Sequence, residues 1–408
     1  MKNIIASTHA GQHSGIPSYC TAHPETLLAI LRCYCDNSLQ ILIEATCNQV
    51  NQDGGYTGMT PNAFREFIYS LARHAGIDPK RIILGGDHLG PNPWKKLPAN
   101  AALAKASTMV RDYVEAGFTK IHLDASMACS DDGSLSESQM ADRAAALCAV
   151  AEAHRGSRDL CYVIGTEVPV PGGETEILDR LVVTKPEAAL QTFELHRIAF
   201  IRRGLRQAFE NVVGIVVQPG VDFGNSQIFH YDRALAQPLS AVIDHIPNLT
   251  FEAHSTDYQT EQSLHELVAS KFSILKVGPE LTGAFREAVV AMSCIEERLL
   301  PAEKSGILEV ILQAMNANPS YWRGYIADGA RADLMKIFGL SDRVRYYWPN
   351  PDIQNALKQL RANIDSASNE LGLIAQFAKL SPRHSMPLSD EIIQARVGAV
   401  VSKYLAAC

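Results

Sequence analysis

The residues most able to do chemistry are an acid and an imidazole, Asp87 and His88, side by side where the apolar run "IILGGDHLGP" (82–91) gives out. Similar pairings close other apolar runs: His122 with Asp124 in "KIHLDAS" (120–126), and Glu252 with His254 in "LTFEAHSTD" (249–257). Ser255 and Asp257 close the last of these runs, and Glu44, Gln49, Glu167, Gln218, Lys276 and Glu280 stand at or just beyond the ends of others. Buried carboxylates and imidazoles are costly unless they are paired or bind a metal. Carboxylates and two or more imidazoles around one cavity suit a divalent ion, zinc foremost, with manganese, nickel or cobalt as alternatives. Such an ion polarises substrate oxygens, and a neighbouring carboxylate moves the proton. This is the logic of enediolate and aldol chemistry on sugars.

Roles follow from residue type. Asp87, Glu167 and Asp124 are the candidate catalytic carboxylates, and His88, His254 and Glu167 the candidate metal ligands. His122 shares a face with Asp124 and is read as an orienting or substrate-binding group. Glu44, Gln49, Gln218, Ser255, Asp257 and Lys276 are candidate substrate contacts. "GLSDRVRYYWP" (339–349) sets Arg343 and Arg345 among three aromatics. Extended, that spacing puts both on one face, as a phosphate or sugar clamp needs; the alternative is docking of C-terminal helices onto the rest.

Positioning these residues takes a repeating frame. Eight short apolar runs (16–24, 41–46, 82–91, 120–126, 160–169, 212–220, 249–257 and 272–281) alternate with helical patterns over about 280 residues. "PNAFREFIYSLARHAG" opens on Pro61 and stops at Gly76; Ser136 and Gln139 form a capping box. The alternation predicts a (β/α)8 TIM barrel over 1–300, with its site at the C-terminal strand ends, and a mainly helical extension over 301–408 packed on it. A doubly wound sheet would carry a glycine-rich phosphate turn after its first strand, and none is present.

Bulk properties narrow the partners. The chain has 408 residues, 47% hydrophobic and 20% charged, with a net charge of -7. That balance argues against nucleic acid. Nine scattered cysteines without finger spacing fit reduced thiols in a cytoplasm, and no 18-residue apolar stretch predicts a membrane span. No GxxxxGK[ST] loop supports a nucleotide-dependent kinase.

The motifs "IEATCNQVNQDGGYTGMTP", "ILGGDHLGPNPW", "AGFTKIHLDASMACSDD", "YVIGTEVPVPGG", "FEAHSTDYQT", "ILKVGPELTGAFREA" and "SDRVRYYWP" closely resemble the subunit of class II tagatose-1,6-bisphosphate aldolase called non-catalytic, a family also described as tagatose-6-phosphate kinase. The resemblance spans nearly the whole chain. It implies a class II aldolase-like barrel and a place in galactitol or tagatose catabolism. A catalytic aldolase chain is the implied partner, and a homo-oligomer is expected. The family also includes metal-dependent 4-epimerases of ketohexose 6-phosphates or hexuronates, which implies a phosphorylated ketohexose such as tagatose 6-phosphate as substrate. A fainter likeness to the catalytic class II aldolases implies proton transfer by Asp87 and zinc ligation by His88, and carries Glu167 and His254 over as site residues. The third zinc-binding histidine of those enzymes has no counterpart; Gln218 in "VVQPGVDFG" stands in that region.

Overall fold

The computed structural model describes residues 1–165, 181–299, 303–367, 369–381, 383 and 386–408. Its strands are β1 (Ile16–Tyr19), β2 (Ile41–Thr46), β3 (Ile82–Leu89), β4 (Lys120–Leu123), β5 (Cys161–Ile164), β6 (Val212–Val217), β7 (Asp222–Phe223), β8 (Ile228–Phe229), β9 (Thr250–Ala253) and β10 (Ile274–Val277). Eight of them close a parallel barrel in the order β1-β10-β9-β6-β5-β4-β3-β2. Each of the eight predicted apolar runs supplies one barrel strand. Parallel neighbours need crossover helices, so both faces of every strand are covered and the strands read as short apolar runs.

Helices begin and end where their local chemistry requires. Thr60 caps Pro61–His74, and Gly76 follows with a φ of +74°. Glu137–His154 opens with the reciprocal Ser136–Gln139 capping box.

Two features lie outside the sequence reading. β7 and β8 form an antiparallel ribbon after β6, across the short turn "GNSQ". The amino-terminal helix Lys2–His9 plugs the barrel floor: Ile5 packs against Val163, Val213 and Val216, and Ile4 against Ile16, Leu42 and Ile274. Residues beyond 302 are helical, including Ile307–Ala317, Pro351–Asp365 and Leu388–Ala407. The last of these packs on Pro24–Arg32, Glu261–Ala269 and Pro279–Leu299, around the seam where β1 meets β10.

A TIM barrel interior is ordinarily filled by branched apolar side chains. Here one layer is ionic. The Lys120 ammonium lies 2.8 and 2.9 Å from the two Glu44 oxygens and 2.7 Å from Glu252, with all three side chains fully buried. Ser18 adds a hydrogen bond to Glu44. Gly85 makes room for this layer, since a Cβ there would meet Glu44 Cγ at 2.6 Å.

Candidate metal centre

Alternation along a strand should send the neighbours Asp87 and His88 to opposite sides. A bulge prevents this. Between β3 and β4 the register runs from Gly86 opposite Ile121 to Leu89 opposite Leu123, three steps on one strand against two on the other. His88 takes up the extra residue with a left-handed φ of +50°. Bulges re-aim side chains beside active sites, and non-glycine residues in this region carry strain. Ser255, just after His254, has a comparable φ of +53°.

The outcome is a buried cluster of Asp87, His88, His122 and His254 whose ligand atoms all lie within 4.8 Å of one another. The three ring centroids stand 5.0 to 5.4 Å apart. Each imidazole has a carboxylate partner: His88 Nδ1 is 2.8 Å from Asp124 Oδ2, His122 Nδ1 is 2.9 Å from Asp87 Oδ1, and His254 Nε2 is 2.9 Å from Glu252 Oε1. Second-sphere carboxylates of this kind fix ring orientation and raise ligand basicity in metal sites. The buried Nε2 of His122 has no hydrogen-bond partner. An orphaned imidazole nitrogen among N and O donors fits a divalent ion, which His88, His122 and His254 would hold with Asp87 at its edge.

Electrostatics fit that assignment at Asp87 and His254; at His88 burial is outweighed by Asp87 and Asp124, which raise its pKa, so an ion there would have to displace a proton. Burial alone would push the Asp87 carboxyl up, but His88, Lys276 and the His122 hydrogen bond outweigh it and hold the acid well below its usual range. Burial lowers His254 to about 3, so its ring is neutral, as a metal ligand must be. For Asp124, burial is outweighed by the hydrogen bond and charge of His88, and the group stays ionised.

The cluster opens into a cavity of about 340 Å3. Asp87, His88, His254, Ser255, Asp257, Lys276, Gln49 and Arg345 reach it, so most of the predicted site residues converge on one mouth. Lys276 ion-pairs with Asp87. Asp257 accepts backbone hydrogens from Gly278 (2.9 Å) and Glu280 (2.8 Å). Gln49 accepts from the Thr46 amide at 2.9 Å and shapes the loop after β2, which brings Asn48, Tyr56 and Thr57 to the rim.

Other expected residues stand elsewhere. Glu44 lies beneath the cavity in the ionic layer, His122 belongs to the cluster without lining the cavity, and Asp124 supports the cluster through His88. The Gln218 carbonyl oxygen accepts from the Gly220 and Val221 amides at 2.8 and 2.9 Å, so that part of the side chain builds a turn and not a substrate contact. Arg343 and Arg345 do not share a face, because their segment is a 3-10 turn (Arg343–Tyr346). Arg343 packs over Tyr325 at 3.2 Å, whereas Arg345 reaches the cavity. Glu167 lies outside the described residues.

Other contributors were not among the residues assigned from sequence. Lys120 faces inward two residues before His122, a parity readable in "KIHLD". His23 lines the cavity, caps helix Pro24–Arg32, accepts the Thr26 amide hydrogen on Nδ1, and packs tilted against Phe285 with ring centroids 4.2 Å apart. Burial lowers its pKa to about 3. Tyr346, Trp348 and Pro349 bring the C-terminal region into the same wall.

A closed parallel barrel with an imidazole and carboxylate cluster at its C-terminal mouth defines a (β/α)8 protein with a candidate divalent-metal centre. More narrowly, the chain belongs to the D-tagatose-1,6-bisphosphate aldolase subunit GatZ/KbaZ-like family, whose model matches residues 1–408. It is 46% identical over 419 residues to the D-tagatose-1,6-bisphosphate aldolase subunit GatZ of Salmonella typhimurium, covering 100% of this chain and 99% of the relative. The GatZ subunit of Klebsiella pneumoniae is 49% identical over 383 residues, covering 92% and 90% of the two chains. The crystal structure of a probable tagatose 6 phosphate kinase from Sinorhizobium meliloti 1021 is similar throughout, with a TM-score of 0.89 and 45% identity, covering 97% of this chain and 100% of that one.

Proposed function

We propose that this chain works as the non-catalytic subunit of a tagatose-1,6-bisphosphate aldolase, supporting the activity and stability of a separate class II catalytic chain in the cytoplasm. The subunit names of its full-length relatives carry this reading. Co-expression with a catalytic chain tests it: the two should co-purify, and the catalytic chain should lose activity when expressed alone. Full activity of that chain in isolation would rule the role out.

A second reading has its own support in the buried cluster, which opens onto a cavity of sugar size. In this reading the chain is a metal-dependent C4-epimerase interconverting tagatose 6-phosphate and fructose 6-phosphate. A divalent ion, when bound, polarises the sugar's carbonyl and hydroxyl oxygens. Asp87, kept ionised beside Lys276, is the proton carrier. In a retro-aldol route it accepts the C4 hydroxyl proton as the C3–C4 bond breaks, and returns it once the aldehyde has re-added through its other face. Proton or hydride transfer at C4 is the other route. Asp257 and Ser255 orient the sugar, and Trp348 excludes water from one side.

Incubating the pure chain with tagatose 6-phosphate and zinc, manganese, nickel or cobalt separates the readings. Fructose 6-phosphate should accumulate if the site is catalytic, and its absence with all four ions sinks the epimerase. A His88→Ala chain that still fully supports the aldolase would show that the subunit role does not use the cluster.

A further inference from the structure

A second cavity, of about 630 Å3, adjoins the first. Its walls include Asn48, Asn92, Trp94, Lys95, Lys96 and Tyr325. Asn48 lines both cavities, so the two are neighbours. The segment Asn92–Lys96 follows directly from the strand that bears Asp87 and His88, which places it at the same mouth.

Charge sets this cavity apart. Among the described residues no acid lines it, and the Lys95 and Lys96 ammoniums are exposed, without an ion pair or a side-chain hydrogen bond. Nearby cations are already engaged. Lys276 is held by Asp87 and Lys105 by Asp53, while Arg345 is held by the Ser341 and Asp342 carbonyls and the Tyr346 hydroxyl. In a chain of net charge -7, two free ammoniums on an acid-free wall form a local positive field. The wall is also ordered: Trp94 Nε1 donates to Asp53 at 3.0 Å, and the Lys105 ammonium sits 5.4 Å from the Trp94 ring.

We propose that this cavity is an anion subsite, in which Lys95 and Lys96 receive the phosphate of a phosphorylated ketohexose whose carbon skeleton occupies the first cavity. Lysine binds phosphate as a point charge, and the Asn48 and Asn92 amides can add neutral donors. The inference rests on the reading that a phosphorylated ketohexose enters the first cavity.

Equilibrium binding to the full chain tests it, read by calorimetry and by intrinsic tryptophan fluorescence. The ligands are tagatose 6-phosphate, tagatose and inorganic phosphate. The proteins are the wild type, K95A/K96A and K95R/K96R. Tagatose 6-phosphate should bind K95A/K96A at least about tenfold more weakly than wild type, the scale of lost charge-assisted contacts. Tagatose should bind the two equally, and K95R/K96R should keep the wild-type affinity. Equal binding of the sugar phosphate to wild type and K95A/K96A, or an equal loss for tagatose, overturns the subsite while leaving the substrate reading intact. A wild type that binds inorganic phosphate but no sugar phosphate overturns both.

Discussion

The Glu252 carboxylate accepts the Nε2 hydrogen of His254 at 2.9 Å, leaving Nδ1 as that ring's free lone pair. Behind it, Glu252 is anchored by Lys120 at 2.7 Å. The imidazole orientation therefore depends on a charge one layer deeper in the barrel. Removing such an outer partner typically costs about 10- to 100-fold in metal affinity. Glu252→Gln should show a loss of that size in chelator competition with zinc or manganese, with the circular dichroism spectrum unchanged. Affinity equal to wild type would place His254 outside the metal shell.

Lys120 offers a stability test. Replacing it with Met leaves two fully buried carboxylates, Glu44 and Glu252, with Lys276 as their cation at the longer distances of 3.5 and 3.6 Å. Breaking a buried ion cluster from one side costs about 3–5 kcal/mol. Urea denaturation of Lys120→Met should show a loss of this order, and the triple variant E44Q/K120M/E252Q should recover most of it. A single variant as stable as wild type would mean that the ionic layer contributes nothing to folding.

Asp257 gives a pH dependence. Burial raises its pKa from 3.8 to about 7, with Glu280 adding to the shift and backbone hydrogen bonds opposing it. A carboxyl raised in the fold favours the protonated native state. Its contribution is complete below the unfolded value near 3.8 and is lost as pH rises through about 7. Wild-type stability should therefore fall between pH 5 and pH 8 by more than that of Asp257→Asn, whose amide cannot ionise. Parallel pH profiles for the two proteins, measured by urea unfolding, would count against a raised pKa.

Gly90 is the steric counterpart. A Cβ there would lie 1.6 Å from the Asp124 carbonyl oxygen, where only backbone movement could relieve the clash. Gly90→Ala should lower the thermal midpoint sharply and weaken metal binding, because the seam between β3 and β4 carries Asp87, His88 and His122. Gly86→Ala meets side chains and not backbone, Leu89 Cδ1 at 2.6 Å and the Tyr113 ring at 2.8 Å, and should be milder. Equal midpoints for the two variants would contradict this ranking.

Much of this architecture was legible in the order of residues. The barrel strands each bury both faces, so each appears as an apolar run, and polar groups gather where the runs end. His88 and His254 stood out because a charged neighbour accompanies each. What stayed hidden depends on register and on contacts distant in sequence. The bulge at Asp87 and His88 has no local signature beyond the two preceding glycines. His122 read as an orienting group because it lies within its strand, and only closure of the barrel brings its Nε2 to the other rings. Gln218 read as a substrate contact, yet its side-chain oxygen serves the turn at Gly220 and Val221. For Arg343 and Arg345, a 3-10 turn replaced the extended geometry that would have paired them.

The cavity has two structural origins: a floor of barrel strand ends, and a wall in which Arg345, Tyr346, Trp348 and Pro349 come from the far end of the chain. Floor and wall are thus separately mutable. Descendants of this protein could keep the cluster intact while residues 343–349 drift and change what the cavity admits, and a laboratory library confined to those seven positions could explore that change without touching the cluster.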